Sequence, residues 1–247
     1  MSREPTLVTF LLLRSACLLA LPLLVLSCAE DAADHEYFAA LRGEETGMTR
    51  TEQLAHVDRA IALEPGRAWY RETHAIYAID LKRFEVAAAD LDTAVQLADR
   101  AYLRFLRGLV ACQRGEYEKS LPDFDLAIAE QPGNSQFYRG RSLARGLLGR
   151  YRDAMVDAKR LLALAPQQGE THYVLGMALV GMGRDQAAVR SFDESLRRRP
   201  ELIYPLRARA AAYARLGDTL RSSADQEEAE RKEREHPHAV CLDPFRY

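Results

Sequence analysis

Apolar and polar positions between residues 34 and 235 follow the spacing of amphipathic helices, and the same arrangement returns at a fixed interval. Each apolar run ends near a proline or an equivalent polar position. These end positions, spaced 33 or 34 residues apart, are Pro65, Asp99, Pro132, Pro166 and Pro200. A period of this length predicts a helical repeat in which each unit buries its apolar face against the next unit.

Small residues mark two further positions of the repeat. Glycines stand 17 residues before the later prolines and continue one period beyond them, at Gly115, Gly149, Gly183 and Gly217. Seven residues before these glycines stand Gly108, Ser142, Gly176 and Ala210. Both sets repeat at intervals of 34 residues.

This arrangement resembles the tetratricopeptide repeat, a helix–turn–helix unit with small residues at its helix crossing and a proline after its second helix. The resemblance implies that the glycines of the first set form the turns between paired helices, with Lys82 and Met48 at the turns of the earlier units. It also implies that the second set lies where helices cross closely. Residues 169–202 match best, through Leu175, Gly176, Gly183, Ala188, Phe192 and Pro200. The resemblance implies an all-α fold, a right-handed superhelical solenoid over residues 34–235, with five repeats and a terminal capping repeat. Residues 221–235 are almost wholly polar, as a solvent-facing cap requires. Residues 236–247 form a tail.

One residue departs from this pattern. Pro122 stands several residues inside the second helix of the repeat 101–134. Proline lacks the backbone N–H and its ring clashes with the preceding turn of a helix. We therefore expect a late helix start or a bend at Pro122.

Residues 1–27 have a different pattern, with a charged start followed by a long apolar stretch. The stretch ends at Val25-Leu26-Ser27-Cys28, which resembles a bacterial lipobox. The resemblance implies a signal peptide at 1–27, lipid on the Cys28 sulfur and an acylated lead at 28–33. An uncleaved membrane anchor and an ordinary signal peptide are the alternatives, since residues 7–27 are long enough to span a bilayer. Ala29, by the same resemblance, implies the outer membrane of a bacterial envelope, facing the periplasm.

In the tetratricopeptide family, the first helix of each repeat lines a concave groove that binds protein or peptide partners. Aromatic and arginine side chains are frequent hot spots of such interfaces. The groove positions of this sequence include Leu143, Gly146, Glu170 and Val180. The residues that we predict to contact a partner are Trp69, Tyr102, Phe105, Leu109, Arg139, Tyr173, Met177 and Arg207. The alternative is that several of these side chains pack between repeats.

The charges give no global attraction to nucleic acid, because 34 basic residues face 36 acidic ones for a net charge of −2. Arginines are nevertheless dense in the middle of the chain, where a negatively charged partner is one hypothesis. These residues are Arg139, Arg141, Arg145, Arg150 and Arg152. The alternative for them is a role within the fold.

Some family members clamp a C-terminal carboxylate with asparagine and lysine side chains of their first helices. The only asparagine here is Asn134, in a predicted loop, and none of the four lysines falls in a first helix. We therefore expect no clamp of that type.

No catalytic motif accompanies the repeats. The sequence lacks the zinc-protease, nucleophile-elbow and P-loop patterns, and His236 and His238 are a weak metal pair. A disulfide between Cys112 and Cys241 is an open alternative without a pattern that brings them together. We expect no cofactor, no metal, no nucleic acid and no small-molecule substrate.

Together these patterns predict a non-enzymatic scaffold or adaptor, anchored to the membrane by lipid, with a protein or peptide partner in the groove. The alternative function is a signal-anchored regulator or an assembly subunit of a secretion, pilus or outer-membrane complex.

Overall fold

The computed structural model describes residues 32–235, and every regular element in this range is an α-helix. Helix α1 occupies residues 32–41. The other helices are α2 Arg50–Leu63, α3 Ala68–Asp80, α4 Phe84–Leu97, α5 Ala101–Gln113, α6 Tyr117–Glu130, α7 Ser135–Leu147, α8 Tyr151–Leu164, α9 Gly169–Gly181, α10 Asp185–Arg198, α11 Tyr204–Arg215 and α12 Thr219–Glu235. Four of the first helices, α3, α5, α7 and α9, begin at the first residue of a predicted repeat.

The helices form two compact units that divide after Ala98. In the first unit, α1, α2 and α3 share one apolar cluster, and α3 packs against α4. Tyr70 is fully buried in that cluster, where its hydroxyl donates a 2.5 Å hydrogen bond to Asp34 Oδ1. A buried phenol is stabilised by such a partner, because an unpaired hydroxyl in an apolar core costs free energy.

The second unit stacks four helix pairs in chain order, from α5–α6 to α11–α12. The first helices also contact one another, α5 with α7, α7 with α9 and α9 with α11, so they form a continuous inner layer. Phe124 and Phe192 are fully buried where the helices cross. A Cβ atom at Gly108 would lie 2.8 Å from the Phe124 ring, and one at Gly176 would lie 2.4 Å from the Phe192 ring. Both positions therefore require glycine.

The turns between paired helices share one backbone conformation. Gly115, Gly149, Gly183 and Gly217 have φ between 72° and 79°, the left-handed region that glycine adopts without strain. At the end of α5, the N–H groups of Gly115 and Glu116 donate to the carbonyls of Cys112 and Ala111, which closes the helix in a Schellman motif. In the first unit this position is held by Gly47 rather than the predicted Met48.

Lys82 adopts the same conformation without being glycine, with φ 58° at the end of α3. An L-residue in the left-handed conformation costs about 1–2 kcal/mol, and replacement by glycine removes this strain. Part of the stabilisation is offset, because glycine has more conformational freedom in the unfolded chain. We expect Lys82→Gly to raise the free energy of unfolding by about 1 kcal/mol. Urea denaturation followed by circular dichroism measures this change.

The matched control is Gly149→Lys, whose Cβ would meet no atom within 4 Å. Its backbone strain alone should lower stability by about 1 kcal/mol. A Lys82→Gly variant that is less stable than the wild type would contradict this account of the turns.

The expected late start at Pro122 is wrong. Helix α6 begins at Tyr117, five residues before the proline, and runs without interruption to Glu130. Pro122 is exposed, so its ring lies on the solvent side of the helix.

Candidate functional site

The inner layer of the second unit carries two adjoining cavities between α7, α9 and α11. The larger has a volume of about 530 Å³ and the smaller about 270 Å³. Leu143, Tyr173 and Val174 line both cavities, which makes them parts of one surface. We call the lining of the two cavities the inner groove.

The larger cavity is mostly apolar. Leu143 and Gly146 of α7 form one wall, and Val174 and Met177 of α9 form the opposite wall. A Cβ atom on Gly146 would meet nothing within 4 Å, so the missing side chain leaves the cavity open. A volume of this size is within the range of pockets that hold a drug-sized ligand.

Tyr151 closes one end of the larger cavity. This residue begins α8, and its ring occupies the space beside Gly181 at the end of α9. A Cβ atom at Gly181 would lie 2.0 Å from Tyr151 Cδ1, so glycine is required for the ring to reach this place. The glycine of one repeat thus positions the aromatic side chain of the preceding repeat.

The smaller cavity is polar on one side. Arg199 Nη1 donates a 3.0 Å hydrogen bond to Glu170 Oε1, and Arg199 also pairs with Glu201. Arg139 lines the same cavity, is half-buried and has no hydrogen bond or ion pair among residues 32–235. The guanidinium of Arg139 is therefore a cation available to a ligand.

Three of the predicted contact residues, Arg139, Tyr173 and Met177, lie together in the inner groove. Met177 is 36% exposed, whereas the Tyr173 ring is almost buried against Tyr204 at a centroid distance of 4.5 Å. Tyr173 therefore forms the floor of both cavities, and Arg139 and Met177 are the accessible members.

Phe105 and Leu109 serve the packing of α5. Phe105 is 3% exposed and stacks against Phe137 at 5.0 Å between ring centroids, and Leu109 packs against the same cluster. Burial follows because aromatic rings gain more from the apolar space between first helices than from contact with water. Phe105 therefore packs between repeats, which was the alternative to its predicted contact with a partner.

The remaining predicted contacts lie apart from the two cavities. Tyr102 is exposed on α5, and Arg207 pairs with Glu233 of α12 through hydrogen bonds of 3.1 and 2.6 Å. Trp69 belongs to the first unit, where it is 46% exposed beneath the Arg67 guanidinium, 5.1 Å from the ring centroid. Cys28, His236, His238 and Cys241 lie outside the described residues, and Cys112 is buried.

Most of the arginine-dense stretch is neutralised within the fold. Arg141 donates to Asp157 at 3.0 and 2.7 Å and to Asp125 at 2.6 Å, and Arg145 donates to Asp157 at 2.7 Å. Arg150 pairs with Glu118 across two second helices. The hypothesis of a broad anionic-partner surface is therefore reduced to Arg139 and Arg152.

The pairing of a buried aspartate with an arginine recurs from one repeat to another. An arginine pairs with an aspartate 16 residues later in Arg107–Asp123, Arg141–Asp157 and Arg209–Asp225. This regular spacing is visible in the sequence and would have identified these arginines as structural.

In the first unit, His74 takes the place of the paired arginine. His74 Nδ1 hydrogen-bonds the Asp90 carboxylate, and Nε2 lies 2.9 Å from Asp58 Oδ1. Arg71 also donates to Asp90, at 2.9 Å. Burial disfavours the imidazolium, but the hydrogen bond to Asp90 and the charges of both carboxylates outweigh it, so the pKa of His74 is raised.

A raised pKa makes the stability of the first unit depend on pH. The contribution of protonated His74 is fully present below the ordinary histidine pKa of about 6.5 and is lost as pH rises through the higher folded pKa. We expect the wild type to lose stability relative to His74→Arg between pH 5 and pH 9, because arginine stays charged. Urea denaturation across this range measures the difference, and a constant difference would contradict the assignment.

No group of three histidine, cysteine, aspartate or glutamate side chains is arranged to hold a metal ion between residues 32 and 235. Within the same range, none of the helices has both the length and the apolar character needed to cross a bilayer.

The family model for the tetratricopeptide repeat matches residues 169–202. The Hsp70-Hsp90 organizing protein of Triticum aestivum is 32% identical over 90 residues, which cover 36% of this chain and 16% of that protein. The small glutamine-rich tetratricopeptide repeat-containing protein 2 of Mycosarcoma maydis is 26% identical over 124 residues, which cover 50% of this chain and 35% of that protein. The chain thus spans about a third or less of the length of these relatives.

Solved structures share the fold at low sequence identity. A tetratricopeptide repeat protein from Parabacteroides merdae superposes with a TM-score of 0.70 at 16% identity, covering 82% of this chain and 80% of that one. PilW, a type IV pilus biogenesis factor, superposes with a TM-score of 0.70 at 17% identity, covering 86% of this chain and 96% of that one. YrrB, a tetratricopeptide repeat protein with an unusual peptide-binding site, superposes with a TM-score of 0.59 at 17% identity, covering 72% of this chain and 92% of that one.

The predicted all-α fold of stacked helix pairs is confirmed, since the described helices pack in sequence and the solved neighbours are tetratricopeptide repeat proteins. The family model identifies a tetratricopeptide repeat at residues 169–202, and the solved neighbours show that the described helices share the fold of tetratricopeptide repeat proteins.

Proposed function

We propose that this chain is a non-enzymatic adaptor, held at a bacterial membrane by lipid on Cys28, whose inner groove binds a segment of a protein partner. The observation that carries the binding role is an Arg139 without a partner among the described residues, next to an open, mostly apolar cavity of about 530 Å³. A cation and an apolar surface that the fold itself does not use are typical of a binding site.

The fold supports the same role. YrrB has the same architecture and carries a peptide-binding site, so stacked helix pairs of this kind can hold a peptide. Tetratricopeptide repeats also present rigid helices, which bind with less loss of conformational freedom than loops do.

The membrane anchor rests on the sequence Val25-Leu26-Ser27-Cys28 and the apolar stretch before it. Two or three acyl chains on one residue would hold the protein stably, since each buried CH2 group contributes about 0.8 kcal/mol. Mass spectrometry of the amino terminus tests the anchor. An acylated Cys28 supports it, and an intact Met1 in the mature protein contradicts it.

A second candidate is an assembly subunit of an envelope complex. The fold of the pilus biogenesis factor PilW, which covers 86% of this chain, favours this alternative without selecting a complex. Such a subunit would use the same groove, so both candidates share one binding test.

Photo-crosslinking distinguishes the inner groove from the opposite surface. A photoreactive amino acid at Met177 would lie in the larger cavity, whereas the matched position Val156 is 64% exposed on α8 outside both cavities. We expect the full chain, in its native membrane, to form a discrete crosslinked product from position 177 and not from position 156. Crosslinking from position 156 alone would contradict the proposed site.

A further inference from the structure

We propose that the inner groove recognises a peptide segment in which an acidic side chain stands within about four residues of a bulky apolar side chain. The carboxylate pairs with Arg139, and the apolar side chain fills the cavity beside Gly146. This inference rests on the proposed function and adds the chemistry of the partner.

The acidic preference follows from the charges of the groove. Its lining contains three arginines, and two of them are occupied. Arg199 pairs with Glu170 and Glu201, and Arg215 pairs with Asp185 at 3.1 Å and with the Val180 carbonyl at 3.0 Å. Arg139 has no such partner in the part of the chain that the structure describes. A carboxylate can accept two parallel hydrogen bonds from a guanidinium, which neutral peptide groups do not match in strength.

The apolar preference follows from the walls of the larger cavity. Leu143, Tyr173, Val174, Met177 and Ala178 surround it with carbon atoms. The charged side chain of its lining is Arg215, which is already paired with Asp185. A leucine or phenylalanine side chain would remove this apolar surface from water, and an alanine would leave most of the cavity unfilled.

One peptide segment can reach both places. Arg139 and Leu147 mark the two ends of the inner groove on α7, eight residues apart. Eight helical residues rise about 12 Å, which matches about four residues of an extended peptide. The two cavities share three lining residues, so no wall separates the two subsites.

The test uses the full chain in detergent micelles and a random decapeptide library displayed on phage. Enriched peptides are synthesised, and their Kd is measured by fluorescence anisotropy against three variants. Arg139→Ala removes the cation of the groove, and Gly146→Leu places a side chain in the cavity whose Cβ meets no atom within 4 Å. Arg190→Ala is the matched control, because Arg190 is exposed on α10 and outside both cavities.

We expect enriched peptides to carry an aspartate or glutamate within four residues of a leucine, phenylalanine or methionine. Arg139→Ala and Gly146→Leu should each weaken binding at least tenfold, and Arg190→Ala should leave it unchanged. Replacing the acidic residue by its amide should weaken wild-type binding tenfold and leave Arg139→Ala unaffected.

Two other outcomes are distinguishable. Peptides that lack the acidic–apolar pair, or whose affinity is unchanged in Arg139→Ala and Gly146→Leu, would overturn this inference. Crosslinking from Met177 would still support the proposed function in that case. A library that yields no binding peptide at all, together with no crosslink from position 177, would overturn both.

Discussion

Asp157→Ala should lower the free energy of unfolding by about 3–5 kcal/mol, because it leaves two arginines without their shared acceptor. The Asp157 side chain is 1% exposed and accepts hydrogen bonds of 3.0 and 2.7 Å from Arg141 and of 2.7 Å from Arg145. Removing the carboxylate leaves Arg145 without its acceptor, and Arg141 keeps only the solvent-exposed Asp125. Urea denaturation followed by circular dichroism measures the loss.

Asp125→Ala is the control, because it removes a carboxylate from the same arginine. Asp125 Oδ1 accepts from Arg141 Nη1 at 2.6 Å, but its side chain is 53% exposed. A solvated ion pair contributes about 0–1 kcal/mol, so this variant should stay close to the wild type. Equal losses for the two variants would contradict the view that burial, rather than distance, determines the value of these pairs.

Phe192→Ala should cost about 3–5 kcal/mol, the second large effect, because Phe192 is fully buried at the crossing of α9 and α10. Its ring also contacts Tyr173, the floor of the inner groove, at a centroid distance of 6.1 Å. Thermal and urea unfolding of the purified variant measure the loss.

The partner of Phe192 at this crossing is Gly176, where an added Cβ would lie 2.4 Å from the ring. Gly176→Ala should therefore cost about 1–3 kcal/mol in the wild type. The same change in the Phe192→Ala background should be neutral or stabilising, since the ring is gone. Strictly additive losses in this double-mutant cycle would show that the ring and the glycine do not share the space.

The sequence predicted the helices and their crossings because these depend on single small residues. Gly108 and Gly176 are required by a neighbouring ring, and Gly115 and Gly149 by their backbone conformation. Because the ring contact and the backbone conformation both require glycine, glycine recurs in the sequence at a fixed interval. The turn at Lys82 keeps the conformation without the glycine, so its strain could not be predicted from the repeat.

The contact residues were harder to predict, because one repeat position serves two purposes. Phe105, Arg139, Tyr173 and Arg207 occupy the same position of successive repeats. The two aromatic rings turn into the space between helices, while the arginines keep their charged ends near water. A helical stripe indicates which face is turned inwards, and side-chain chemistry then decides between packing and exposure.

The second-helix residues of the inner groove were outside the predicted set. Tyr151 reaches the larger cavity from the start of α8, and Arg199 reaches the smaller one from the end of α10. Their contributions depend on how far a side chain extends from the neighbouring helix. The absence of a side chain at Gly181, which leaves room for the Tyr151 ring, was a signal available in the sequence.

Gly146→Leu tests the central claim most directly, since it changes the inner groove without disturbing the fold. Leucine favours a helix over glycine, and its Cβ meets no atom within 4 Å, so the melting temperature should not fall. We predict that the crosslink from Met177 is lost in this variant while the melting temperature is kept. An undiminished crosslink from Met177 in a folded Gly146→Leu protein would contradict binding in the inner groove.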